Sequence, residues 1–283
     1  MIAVGLGLLS ALLFGAMSVA LRMALQREPD VALGTIATVV PAIVVAVAAA
    51  ALEAPSRGLH VGAAWPFLLA GLLSPGAAQI LVTIAIREAG ASRVSMVFGT
   101  APLVSVTIAL IVLGEPVRAP LLVGAVLVVA GGVELTRERE RPGHLRRIGL
   151  LYAFGGATLF AIRDNLVRHL AVGRTPVPPG VAAAAALVGG GVLVAVWAHR
   201  SGSLRRWLPF LPAGLLFGGS YVSLFEAYYR GRVTVVAPLV AIESLVGVAL
   251  SVLLLRDSEL VGKRLVLGAA LIVAGGALIG AFR

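Results

Sequence analysis

Pro66-Phe67-Leu68-Leu69-Ala70-Gly71-Leu72-Leu73 returns as Pro209-Phe210-Leu211-Pro212-Ala213-Gly214-Leu215-Leu216, with seven of eight residues identical at an offset of 143. Trp65 and Trp207 stand just before the two copies. Gly124–Gly132 (GAVLVVAGG) recurs as Gly268–Gly276 (GAALIVAGG), seven of nine identical at an offset of 144. Gly7-Leu8-Leu9 maps onto Gly149-Leu150-Leu151 at 142, and Glu115 onto Glu259 at 144. Compositional bias does not hold an offset this steady along a whole chain. The sequence is therefore a duplication, 1–136 and 148–283, joined by the basic linker Arg137–Arg147.

The repeated unit is built for lipid. Of 283 residues 59% are hydrophobic and 13% charged, with a mean hydropathy of +1.02. Soluble domains carry about 25% charged residues, so these are too few to cover a water-facing surface. That excludes a disordered chain, a nucleic-acid partner and an ordinary cytosolic enzyme. The net charge of +10 fits loops facing a cytoplasm and anionic lipid. With no cysteine, disulfides, thiolate metal sites and cysteine nucleophiles are absent.

A helix crosses the hydrocarbon core with about 20 mostly apolar residues. Ten runs qualify: Ile2–Ala24, Val31–Leu52, Pro66–Ile86, Val94–Leu113, Ala119–Leu135, Ile148–Leu170, Pro179–Ala198, Leu208–Tyr229, Val233–Leu255 and Val261–Phe282. They are too long and too rich in Ala, Leu and Gly for barrel strands, and helices satisfy every backbone group in lipid. The first run has no basic segment before it and no cleavage pattern after it, and is read as a retained span. Glycines inside the spans, such as Gly131-Gly132 and Gly189-Gly190-Gly191, predict close helix packing. Pro41, Pro75, Pro102 and Pro238 predict kinks or breaks.

Five spans per copy is odd, so the second copy enters the membrane from the opposite side. The expected fold is all-α: ten transmembrane helices as two inverted five-helix repeats. Such repeats place a substrate near the midplane between the halves, and rocking of the halves gives alternating access.

The phrase Ala227-Tyr228-Tyr229-Arg230-Gly231-Arg232-Val233-Thr234-Val235-Val236-Ala237-Pro238-Leu239 resembles the pattern of EamA-type drug/metabolite transporters. So do Ala241-Ile242-Glu243-Ser244 and the acidic residues before the Gly-rich fifth and tenth spans, Leu113-Gly114-Glu115 and Ser258-Glu259. The resemblance covers essentially the whole chain. It implies a central cavity lined mainly by spans one, three, four, six, eight and nine, and a cargo among amino acids, other metabolites or drugs. The sequence departs from the pattern at Ser244, where a proline often stands, and at Leu255–Glu259, which is two residues longer. The distantly similar small multidrug transporters rely on a carboxylate in the first helix, and span one here has none.

Ionisable groups at bilayer depth face a cavity or a partner. Glu243 lies near the middle of span nine, five residues after Pro238, placed to bind a cationic group or exchange a proton. Arg163-Asp164-Asn165 is a polar cluster within span six. The i,i+4 spacing pairs Asp164 with Arg168, leaving Arg163 for an anionic ligand group. Glu226 pairs with Arg230 at the same spacing. Gln79 is placed to hydrogen-bond substrate or a neighbouring helix, and Tyr229 to reach the cavity mouth. Arg22 is expected to snorkel, Glu115 and Glu259 to sit at helix N-termini, and Trp65, Trp197, Trp207 and Tyr228 to lie at the interface.

The odd-numbered connections carry 15 Lys and Arg against seven on the even-numbered ones and the C-terminus, which predicts a cytoplasmic linker and external termini. His60, His144, His169 and His199 form no metal spacing, and no nucleophile elbow or ATP loop occurs. The expectation is a multi-pass plasma-membrane secondary carrier, not an enzyme, without cofactor or metal. It moves a small metabolite, for instance an amino acid or other zwitterion, or a drug, with export favoured over import. Its partners are the substrate and the lipid bilayer, with a proton or an exchanged substrate as coupling partner, and its expected state is a monomer. The alternatives are a channel or a membrane enzyme without a metal.

Overall fold

The computed structural model describes residues 2–101, 103, 104, 107, 119–136, 146–172, 177–199, 204–231, 233–255 and 262–281. Helix α1 (Ile2–Arg27) turns through Glu28-Pro29-Asp30 into α2 (Val31–Arg57), where the Asp30 carboxylate accepts the Leu33 N–H at 3.1 Å and caps the new helix. The duplicated phrase opens α3 (Trp65–Gly71), which passes through a wide turn over Leu72–Ala77 into α4 (Ala78–Ala89). Gly90, at φ 86°, breaks the chain before α5 (Ala91–Phe98). Helix α6 (Ala119–Thr136) closes the first copy.

The second copy runs α7 (Arg147–Val172), α8 (Pro179–Trp197), a 3₁₀ segment Leu204–Phe210 and α9 (Leu211–Arg230). It ends with α10 (Val233–Val240), a turn at 241–242, α11 (Glu243–Leu254) and α12 (Lys263–Ala281). Among the described residues no strand occurs. Among the described residues, five helical segments are long and apolar enough to cross a membrane: Ile2–Arg27, Val31–Arg57, Trp65–Ala89, Pro179–Trp197 and Arg206–Arg230. Helices α6, α7 and α12 coincide with the fifth, sixth and tenth expected spans. Glu115, Glu259, Pro102 and most of the linker lie outside the described residues.

Large apolar side chains face outward along the helices, among them Leu52, Val126, Leu151, Val196 and Leu253. Water would penalise such a belt, and lipid accepts it. Glycine sets the interior. A Cβ on Gly71 would stand 2.0 Å from the Ala186 carbonyl oxygen, and one on Gly189 2.1 Å from that of Leu68, so α3 and α8 meet backbone to backbone.

The duplicated phrases GAVLVVAGG and GAALIVAGG pack on each other, α6 against α12. A Cβ on Gly131 would lie 2.5 Å from the Gly268 carbonyl oxygen, and one on Gly275 2.5 Å from that of Gly124. These contacts exchange under the 144-residue offset, and the two helices run antiparallel. A local two-fold axis across the helices is what this reciprocity requires. The pairing of α1 with α9 is likewise answered by that of α7 with α4.

Charges sort the connections. Arg206 binds Glu28 and lies 3.9 Å from Asp30, Arg146 lies 3.4 Å from Glu88, and Arg264 4.0 Å from Glu134. These ion pairs gather odd-numbered connections at one face, and the hydrogen bond from Arg206 holds the Glu28 carboxyl below its ordinary range. Arg57 and Glu226, 3.3 Å apart, meet at the other face, which also holds the start of α1.

Two expectations need correction. Arg22 does not snorkel: it is buried, and one Nη donates to the carbonyls of Ile86 (3.2 Å) and Arg87 (2.9 Å), supplying donors that the C-terminal turn of α4 lacks. Pro41 does not break α2, which runs on through it with Gly214 of α9 packed against the proline ring; membrane helices tolerate proline where neighbours close around it. At Pro75 the expected break is the wide turn, where Ser74 is extended (φ −147°, ψ 118°). Span nine breaks at 241–242, just after Pro238.

Gly71→Ala forces a methyl into a backbone and is expected to cost about 1–3 kcal/mol, by the general penalty for overpacking. Thermal unfolding in detergent should fall for Gly71→Ala and stay unchanged for Gly5→Ala, whose Cβ would meet nothing within 4 Å.

Candidate functional site

Helix α7 carries Arg163 and Asp164 into the interior, where both are buried. The Arg163 Nε and Nη2 donate to Asp164 Oδ1 at 2.8 and 2.7 Å. The guanidinium carbon lies 4.7 Å from the Phe160 ring centroid and 4.8 Å from that of Tyr221, a cation held by two π faces and a carboxylate. The Tyr221 hydroxyl donates to the Ser74 carbonyl at 2.7 Å, tying α9 to the wide turn. The Tyr228 hydroxyl stands beside the Asp164 carboxylate, outside normal hydrogen-bond geometry.

Glu243 opens α11 immediately after the break and is 4% exposed. It lies within electrostatic range of Asp164 and Arg163 but makes no hydrogen bond or ion pair among the described residues. Small residues seat this corner. A Cβ on Gly15 would stand 3.0 Å from the Glu243 carbonyl oxygen, and one on Gly99 2.9 Å from the Ser244 side chain. The Ser244 hydroxyl donates to the Ala241 carbonyl at 2.8 Å and steadies the turn. Phe14, Phe98 and Phe160, each pair 5.6 Å between centroids, pack beside it.

The structure thus brings Glu243, Arg163 and Asp164 together and corrects their pairing. Asp164 does not take Arg168, whose Nη1 instead donates to the Tyr228 carbonyl at 2.7 Å. Arg163 is therefore not free. Surface spacing rules ignore neighbours at i,i+1, but in a dry interior a long guanidinium folds sideways onto the nearest carboxylate. Asn165 turns back onto its own helix, its Nδ2 donating to the Ala161 carbonyl at 2.9 Å. Gln79 is fully buried with neither amide atom hydrogen-bonded. Tyr228, expected at the interface, is fully buried instead, because α9 turns Tyr221 and Tyr228 inward at a spacing of seven. The stripe Phe217, Tyr221, Phe225, Tyr228 at helical spacing was the sequence signal for these missed residues.

Glu226 and Tyr229 lie elsewhere, at the end of α9. Glu226 pairs with Arg230 as expected and with Arg57 besides. With Val177, Pro178 and Pro179 they line a cavity of about 400 Å³. Among the described residues no group of three His, Asp or Glu could hold a metal.

A duplicated, polytopic helical bundle with charges at its centre defines a class of membrane transport protein. The chain belongs to the EamA-like transporter family, whose sequence profile matches it twice, over residues 1–135 and 147–281. It is thereby a multi-pass membrane protein of a transporter family. No curated protein matches it in sequence. A solved crystal structure superposes with a TM-score of 0.69 over 98% of this chain and 95% of its own, at 21% identity, and shares the fold.

Removing one partner of a buried pair leaves an uncompensated charge and costs about 3–5 kcal/mol. Arg163→Met is expected to destabilise by that order in denaturant titration, and the double variant Arg163→Met/Asp164→Leu to recover most of the loss.

Proposed function

We propose that the chain is a plasma-membrane secondary carrier for a small polar or amphipathic metabolite, with a zwitterion such as an amino acid as cargo. Its two five-helix repeats, 1–136 and 148–283, are inverted, are joined by the linker 137–147, and rock about the local two-fold to give alternating access. The working unit is a monomer, and export is the favoured direction.

One observation carries this reading: Glu243 is a buried carboxylate without a counter-charge of its own, at a helix break beside an ion pair that already neutralises itself. A lasting arrangement of that kind is costly in lipid. A carboxylate whose partner arrives and leaves explains it. The partner is the ammonium group of the substrate, or a proton on the empty carrier's return. The substrate carboxylate competes with Asp164 for Arg163, which stays screened between Phe160 and Tyr221 until then.

The test is counterflow in proteoliposomes, with substrate first identified by a thermal-shift screen of amino acids, organic acids, nucleosides and cationic drugs. Counterflow separates a carrier from a channel. Loss of one charge-assisted contact weakens substrate binding by about 10–100-fold, so Glu243→Gln should lower uptake at sub-saturating substrate by that factor. Wild-type counterflow in both Glu243→Gln and Arg163→Gln would remove the assignment.

A further inference from the structure

The cavity at the end of α9 has a charge inventory of its own. Glu226 accepts from both Nη atoms of Arg57 at 3.3 Å and from the Arg230 Nε at 2.7 Å. Arg57 also lies 3.8 Å from Glu53, whose Oε2 accepts the Gly180 N–H at 3.1 Å. The Tyr229 hydroxyl is buried and makes no hydrogen bond. Val177, Pro178 and Pro179 supply an apolar wall. Two guanidinium groups, Arg57 and Arg230, and one carboxylate, Glu226, therefore line about 400 Å³, within the size range of small-molecule sites, with Glu53 behind Arg57.

We infer that this cavity is a binding site for a zwitterionic small molecule, which inserts into the Arg57–Glu226 ion pair. Both members of the pair are partly open to solvent, and such pairs are weak, so parting them costs little. An anion placed there would take Arg57 and leave Glu226 to Arg230 alone; a cation would take Glu226 and leave Arg57 to Glu53. A zwitterion satisfies both at once, its carboxylate on Arg57 and Arg230 and its ammonium on Glu226, with the Tyr229 hydroxyl as a further partner. Arg57 belongs to the first copy and Glu226 to the second, so the ligand loosens a link between the copies at this face. That gating role rests on the carrier reading; the binding does not.

The chain has no cysteine, so Tyr229→Cys gives a single thiol in the cavity wall, at a half-buried position that the reagent can reach. Its modification by a water-soluble maleimide is followed in detergent with three probes of one skeleton: leucine, 3-methylbutylamine and 4-methylpentanoate. Leucine should slow labelling by about tenfold at nine times its apparent Kd, with little effect of the amine or the acid. Protection should vanish in Arg57→Gln and in Glu226→Gln, and an unchanged thermal unfolding midpoint in detergent shows that each variant folds. Three results would overturn the site: no protection by leucine at its solubility limit, equal protection by either charged analogue, or protection that survives both single variants. Counterflow lost with protection intact would sink the carrier reading alone, and protection absent with counterflow intact would sink this site alone.

Discussion

Gly131 lies against the Gly268 carbonyl and Gly275 against that of Gly124, with no room for a side chain at either crossing. Between membrane helices there is no hydrophobic drive, so backbone approach of this kind is what holds two of them together. Here the two helices are copies of one sequence, and their antiparallel contact fixes a two-fold axis across the bundle. The other pairings follow it. What α1 does to α9, α7 does to α4, and α7, α9 and α11 bring their polar residues to one place.

The symmetry of the backbone is not carried into the charges. At the duplication offsets of 142 to 144, Glu243 falls on Gly99, Thr100 or Ala101, none of them ionisable, and at 143 Tyr221 corresponds to Ala78 and Tyr228 to Ala85. The second copy brings the polar and ionisable groups, and the first brings small residues and aromatic rings such as Phe14 and Phe98 to pack against them. Arg22 of the first copy is committed to capping α4. The centre therefore holds two carboxylates for one guanidinium, and a carrier can use that imbalance only if the missing cation is mobile.

The architecture was legible because it rests on local, repeating signals: length of apolar runs, duplicated glycines, and prolines at the breaks in spans three and nine. The burial of Glu243 and the Glu226–Arg230 pair were legible for the same reason, since helical spacing and bilayer depth decide them. The Arg163–Asp164 pairing was not. It depends on Tyr221 and Phe160 closing over the guanidinium from two helices, a tertiary arrangement that no i,i+4 rule contains. Tyr228 and Arg22 misled in a similar way. Each sits where the chain nears a membrane edge, and its fate is set by a neighbouring helix that offers a buried seat or a carbonyl.

The central claim is that one buried site between the two copies is reached in turn from either face. Ser244 adjoins Glu243 and is fully buried in this conformation, and Ser244→Cys is a small change in a chain without cysteine. Its modification by a membrane-impermeant thiol reagent, applied separately to each side of oriented proteoliposomes, is the most direct measurement. The account predicts labelling from both sides. Labelling from one side alone, or from neither while Tyr229→Cys reacts, would contradict it.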